Sequence, residues 1–281
     1  MTTYRNPAID EALGAKTLLF GQAGPGMAVD VLEESVAALP AAARAAGCTQ
    51  VLGPMHHSTW HSYRAVLGGS SGGAFAGDVV SHAALPEVLA KAGYAVCEEY
   101  ASVTISRAAA QEAVGRYAEH VRGNETEMTL RHMPRRAFAK TIETLYPLVE
   151  STFRRNRLYS PIALQEFQSL YAPSVGASPN VLLQLAEVDG HTVGFALFLE
   201  DERGLVLKTL GRLPGAELRA LGVAPERLGT VLALRALEYF LSTAHPRLIA
   251  ALMHVDNPSY ARTLAFGGEV TSRYGLFLKR L

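Results

Sequence analysis

GLVLKTLGRLPGAELRALGVAPERLGTVLALRALEYFLSTAHPRLIAALMHVDNPSY, residues 204–260, decides how this chain is read. Its first run, LVLKTLGRL, is apolar enough for a strand. PGAELRALGVA then reads as an irregular loop containing Arg219-x-x-Gly222-x-Ala224, and the apolar periodicity beyond it predicts a long helix. LIAALMH predicts a second strand, which gives way to the polar turn Asp256-Asn257-Pro258. A loop that opens straight into a helix presents unpaired backbone N–H groups and the positive end of the helix dipole, an arrangement suited to phosphate.

Working outward, a short helix and a closing strand complete the segment to Leu281. Upstream, strands at Val181–Val188 and Thr192–Leu199 flank Asp189-Gly190, a strong hairpin signal. Before them come a strand at 128–133 and helical segments at 135–157 and 163–171. The first hundred residues predict a strand at Thr17–Phe20 and a helix from about Met27 to Ala46 that Pro40 kinks or restarts. A strand at 50–55, the polar run HHSTWHSYR, a helix at 85–92 and a strand at 94–106 follow. A helix at 108–121 and the polar RGNETE (122–127) read as a connection.

The two halves resemble each other. GYAVCEEYASVTISR (93–107) lies on GGEVTSRYGLFLKRL (267–281) without gaps, placing Tyr100 over Tyr274. VLGPMHHS (51–58) lies on IAALMHVD (249–256), placing Met55-His56 over Met253-His254. The matched order and lengths of the elements argue for a tandem repeat with an incomplete first copy. The organisation expected is a partial domain at 1–107, a connecting helix and linker at 108–124, and a complete domain at 125–281.

The chain has 281 residues, 26 Lys plus Arg and 26 Asp plus Glu. A formal net charge of zero supplies no global field for nucleic acid or a membrane surface. No long apolar run suggests a membrane span, and MTTYRNPAIDEALGAK lacks the basic-then-apolar pattern of a signal. Cys48 and Cys97 sit in apolar settings and are expected to be reduced, as in the cytoplasm.

Residues 125–281 resemble the GNAT superfamily of N-acetyltransferases along their whole length. The family motif Gln/Arg-x-x-Gly-x-Gly/Ala matches Arg219, Gly222 and Ala224, and its Asn-containing turn after the fifth strand matches Asn257. The GPMHHSTWHSYR and FRRNRLYSPI tracts resemble segments of tandem GNAT-like proteins. The resemblance implies an α/β fold of the α+β kind, a mixed and mostly antiparallel sheet flanked by helices. It also implies an acyltransferase with acetyl-CoA or another acyl-CoA as donor, no metal, and a small-molecule amine as acceptor. Two departures leave other donors open. Pro214 to Arg219 is longer than the family spacing, so Arg227-Leu228-Gly229 is a rival alignment, and the family's tyrosine acid falls on Leu264. A carrier-protein thioester, an aminoacyl-tRNA, or a non-catalytic binding module are the alternatives, and a homodimer is open.

Acyl transfer needs a deprotonated amine, a stabilised oxyanion and a proton for the leaving thiolate. Backbone N–H groups of Leu210, Gly211, Arg212 and Leu213, where the neighbouring strand is expected to diverge, are candidates for the oxyanion and for the pantetheine arm. Those of Leu218, Arg219, Ala220, Leu221, Gly222, Val223 and Ala224 are candidates for the pyrophosphate, with Arg219 adding charge. His254 is the first candidate base because its imidazole titrates near neutral pH. Asp256 and Glu200 are rivals, Tyr260 is the replacement acid, and Tyr274 is within reach of the thiol. His57 and His61 have helical spacing without a companion ligand motif, so a pocket wall with Trp60, Tyr63 and Arg64 is expected rather than a metal. Arg154 and Arg155, with Arg131, Arg135, Arg136 and Arg157, are candidates for an anionic substrate, although charged helix faces are commonly just solvated.

Overall fold

In the computed structural model, residues 1–69, 73–122, 128–133, 138–177 and 181–281 are described. The expected linker at 122–127 and Arg135 and Arg136 fall largely or wholly outside them. The chain divides into two compact units: Met1–Ala101 with Asn156–Pro161 and Thr271–Leu281, and Ser102–Arg155 with Ile162–Val270.

The first unit runs β1 (Thr3–Tyr4), α1 (Pro7–Leu13), β2 (Thr17–Phe20), α2 (Val29–Ala45), β3 (Gln50–Gly53), β4 (Ala65–Gly68), α3 (Leu85–Lys91) and the start of β5 (Ala95–Ser106). Asn6 caps α1 by accepting the Ala8 N–H, and left-handed Gly14 ends it. Helix α2 is continuous through Pro40, so the expected restart does not occur. Its buried face, Leu32, Val36, Leu39 and Ala43, packs with Leu18, Phe20, Val51, Leu85 and Leu89.

The second unit contains α4 (Arg107–Arg122), β6 (Thr129–Met133), α5 (Phe138–Phe153), α6 (Leu164–Ala177), β7 (Val181–Val188), β8 (His191–Asp201), β9 (Gly204–Arg212), α7 (Gly215–Ala220), α8 (Pro225–Ser242), β10 (Arg247–His254), α9 (Pro258–Ala265) and the first residues of β11 (Glu269–Arg280). Strands β6 to β9 form an antiparallel run. Asp189 and Gly190, both with positive φ, make the hairpin turn between β7 and β8. Strand β10 lies parallel to β9. Leu234, Ala236, Leu237 and Phe240 of α8 are buried with Phe198, Leu205 and Leu248.

The closing strands β5 and β11 have twelve residues each and begin where the sequence alignment of the halves places them. Their burial patterns differ only at the second and eleventh positions. Their partners are exchanged. Strand β11, from the end of the chain, pairs antiparallel with β3 in the first unit, while β5 neighbours β10. Each half therefore completes its sheet with the closing strand of the other, and this is why Thr271–Leu281 belongs to the first unit.

Arg107, at the start of α4, closes the other end of α8. Its guanidinium donates to the carbonyls of Leu241 (2.7 Å), Thr243 (2.8 Å) and His245 (3.2 Å). These are carbonyls at the helix C-terminus, where a cation also meets the dipole. Arg107→Ala is expected to lower stability by about 2 kcal/mol in urea unfolding, and an unchanged midpoint would refute this role.

Candidate functional site

Strands β9 and β10 stay together for three residue pairs, Leu205–Leu248, Val206–Ile249 and Leu207–Ala250, and then part. The cause lies on the other edge of β9. Leu197 of β8 faces Thr209 and Phe198 faces Leu207, so Lys208 is an extra residue, a bulge that bends the strand. Leu252 of β10 adopts a left-handed φ of 58°, and its N–H donates to the buried Ser102 hydroxyl at 3.1 Å. The divergence expected near Leu210–Leu213 is thus present and begins at Lys208. Beyond it, Gly211 leaves no room for a side chain because a Cβ would meet the Phe195 ring. Thr152 Oγ1 brackets Arg212, lying 3.3 Å from both its N–H and its carbonyl, and the Leu213 N–H donates to Val193 (2.9 Å).

The stretch expected to be an irregular loop is partly helical, and its glycine has a defined local task. Gly222 is left-handed; its N–H donates to Arg219 and that of Val223 to Leu218, with Val223 and Leu218 packed together. This is a Schellman stop for α7. The N–H groups of Leu218, Leu221, Gly222 and Val223 consequently already have acceptors within the chain, and Ala224 occupies the N-cap position of α8. Gly229, in the rival alignment, lies inside α8. A Cβ there would sit 3.5 Å from Nη2 of Arg262, a residue of α9 that sequence reasoning missed. The Arg262 guanidinium has no hydrogen-bond or ion-pair partner among the described residues. Burial, and then the charge of Arg212, push its pKa down. The Arg219 guanidinium lies beside Gly215, next to Pro225 at the start of α8.

At the end of β10, His254 Nδ1 accepts the Asp256 N–H at 3.1 Å, which places the neutral ring's proton on Nε2. The Nε2–H is thus a hydrogen-bond donor, and the nitrogen that a base would use, Nδ1, is occupied by that backbone N–H. The Asp256 carboxylate is 89% exposed and 3.9 Å from the imidazole. Asn257 caps α9, its side chain accepting from the Ser259 N–H and hydroxyl. Tyr260 lies in the first turn of α9, half-buried, and Leu264 is exposed. Glu200 lies 3.6 Å from His245. Tyr274, expected within reach of the thiol, lies in the first unit, where its hydroxyl donates to Asp78 at 2.7 Å.

The remaining candidates fall in separate units. Arg64 is buried between the rings of Tyr63 and Tyr100, 3.9 and 4.1 Å from their centroids, and desolvation lowers its pKa to about 10. Trp60 Nε1 donates to the Ser160 carbonyl, and His57 stacks near Tyr4 and His61. Among the described residues no group of histidine, cysteine or carboxylate side chains could hold a metal. Cys48 and Cys97 are free, and burial pushes the Cys97 thiol up to about 12. In the second unit Arg154 pairs with Glu150, Arg131 pairs with Glu187, and Arg155 is exposed; in the first, Arg157 pairs with Glu98.

The first unit contains a closed counterpart of the parted strands. β2 and β3 are parallel through Leu19–Leu52, and the Met55 N–H donates to Phe20. His56, the residue aligned with His254, accepts the Gln22 N–H on Nε2 at 2.9 Å and packs on Gly21. Burial, then the charge of His57, lower its pKa.

No protein-family model matches the sequence, and no curated protein matches it. Solved structures do. A tandem GNAT protein from the clavulanic acid biosynthesis pathway superposes over 95% of this chain and 76% of its own, with a TM-score of 0.53 at 15% identity. A functionally unknown conserved protein from Staphylococcus epidermidis covers 94% and 84% (TM-score 0.49, 8% identity). A GCN5-related N-acetyltransferase from Sphaerobacter thermophilus covers 72% and 57% (TM-score 0.41, 17% identity). The fold is that of a tandem GNAT protein, with a mixed sheet flanked by helices. At 15% identity the likeness extends no further than the fold.

Two outcomes check these assignments. Gly222→Ala, forced into a left-handed conformation, is expected to cost about 1 kcal/mol in denaturant unfolding; no loss would rule out the helix-stop role. Because the folded pKa of His56 lies below its ordinary 6.5, the unfolded chain binds the proton more readily. Stability should therefore be full above about pH 6.5 and fall as the pH drops below it. His56→Gln should flatten that slope in melting curves taken across the acid range, and an unaltered slope would assign the effect elsewhere.

Proposed function

We propose that the second unit is an N-acyltransferase that takes an acyl group from acyl-CoA, acetyl-CoA first among them, and gives it to a small-molecule amine. The observation that carries this reading is the parting of β9 from β10 after Leu207 beside the start of α8. An unpaired strand edge accepts an extended amide-bearing arm as it would another strand. The start of α8, with Arg262 against its early turns and Arg219 beside Pro225, suits the donor's phosphates.

In the reaction, the amine nitrogen attacks the thioester carbonyl, the C–N bond forms, and the C–S bond breaks. Backbone N–H groups at the bulged stretch 208–211 stabilise the oxyanion. The Tyr260 hydroxyl protonates the leaving thiolate and regains the proton that water relays from the amine, while the His254 Nε2–H donates a hydrogen bond toward the sulfur. Work in the cytoplasm fits this donor, and among the described residues no helix is long and apolar enough to cross a membrane.

One observation favours a second donor class. Because the N–H groups at Leu218, Leu221, Gly222 and Val223 are already engaged, the loop offers a pyrophosphate less than the family motif implies. A carrier-protein thioester, with a single phosphate, asks less of it. Zero net charge argues against aminoacyl-tRNA.

Acetyl-CoA at about a hundred times its Kd should stabilise the full chain by about 2.7 kcal/mol in thermal melts. Arg262→Gln should weaken that binding roughly tenfold without lowering the ligand-free melting temperature, since it removes a desolvated cation whose guanidinium has no partner among the described residues. A wild-type chain that shows no shift with about millimolar acetyl-CoA, yet binds acyl carrier protein, would move the assignment to the second donor.

A further inference from the structure

The Lys208 bulge redirects β9, and a second device fixes where β10 goes. Leu252 has a φ of 58°, in a region that leucine avoids because its Cβ crowds the backbone. In that conformation its N–H donates to Ser102 Oγ at 3.1 Å. Ser102 belongs to β5, the strand beside β10, and is fully buried. A backbone N–H away from water needs an acceptor, and this hydroxyl supplies one two residues past the last β9–β10 pair, Leu207–Ala250.

The chain carries its own control. In the gapless alignments of the two halves, Pro54 stands where Leu252 does, and Leu276 stands where Ser102 does. Proline has its φ fixed at about −65° and carries no N–H, so it neither takes a left-handed turn nor asks for an acceptor. Leu276 is fully buried, and its side chain offers none. In that half β2 and β3 remain in contact beyond this point, the Met55 N–H donating to the Phe20 carbonyl. Both members of the pair therefore differ between the half that stays closed and the half that parts.

We infer that Ser102 is a positioning residue of the donor cleft. By accepting the Leu252 N–H it stabilises the parted form of β10. Without it, β10 falls back onto β9 along 208–211 and closes the edge that takes the donor. Ser102 is buried and does not touch the donor; it acts through Leu252. Donor affinity then scales with the fraction of chains in the parted form. The inference rests on the proposed donor reading for the ligand's identity, and not for the parting, which belongs to the free chain.

Two measurements on the full chain test it. In ligand-free NMR, Ser102→Ala should give cross-strand NOEs between 208–211 and 251–253 that the wild type lacks. Titration with acetyl-CoA should show affinity lowered roughly tenfold, as when about a tenth of the chains remain parted. Adding Leu252→Gly to Ser102→Ala should remove those NOEs and restore affinity to within about twofold, because glycine takes a left-handed φ without strain. A packing defect at position 102 would not be repaired by that second change. Leu252→Ile puts a β-branched side chain where the left-handed region is most costly. It should close the cleft as Ser102→Ala does, and it decides the matter if Ser102→Ala fails to fold. Absence of the new NOEs in both single variants, or no rescue by Leu252→Gly, would overturn the inference. A wild type that does not bind acetyl-CoA would refute the donor reading instead, and the NOEs would still decide the role of Ser102.

Discussion

A strand that loses its neighbour must find other partners for its backbone, and in the second unit that demand shapes everything around β9. Past Leu207 the β10 edge is gone. The strand tolerates this because β8 still pairs with it to Arg212, because the Lys208 bulge redirects it, and because Thr152 holds Arg212 from α5. On the other side, β10 turns aside at Leu252, a left-handed conformation that costs a leucine about 1–2 kcal/mol and that Ser102 holds by hydrogen bonding its N–H. Strain and satisfaction are balanced so that one edge stays open.

The first unit shows what the same order of elements does when nothing forces the strands apart. There the Met55 N–H finds the Phe20 carbonyl and the Gln22 N–H finds an imidazole. Gly53 has no Cβ because one would collide with the Phe20 backbone and ring, and Gly21 has none because His56 fills the space. His56 and His254 hold matching places at the ends of matching strands. His56 accepts a backbone N–H from across the edge, that of Gln22, whereas His254 accepts one from the turn that follows it, that of Asp256.

Elements governed by local chemistry were legible. Asp189-Gly190 can take two positive φ angles in succession, and the hairpin followed. The lengths and burial of β5 and β11 followed from their shared pattern of residues. What the pattern could not carry is which strand each would meet: an apolar strand presents the same face to either neighbour, so the exchange of closing strands is invisible until pairing is seen. The site was legible as a region and less so as residues. Arg219-x-x-Gly222-x-Ala224 is ambiguous in physical terms, since a left-handed glycine after a helical turn ends a helix as readily as it lines a phosphate loop. Ser102 and Arg262 carry no motif. They matter because the fold brings them from β5 and α9 to a backbone N–H and to α8.

The engaged N–H groups around Gly222 alter how an anion would be held near α8. A cradle of backbone dipoles is neutral and ready-made, and it binds by geometry. Arginine side chains bind by charge, and one opposed by burial and then by the repulsion of Arg212, as Arg262 is, raises the energy of the empty site. A diphosphate arriving there would relieve that repulsion as well as add its own hydrogen bonds, so its gain on binding would exceed that of either arginine alone. The repulsion is the part of the affinity built in before the ligand arrives, and it is screened as ionic strength rises. An arginine pair would thus do what a loop of free N–H groups does in a shorter sequence, at the cost of greater sensitivity to salt.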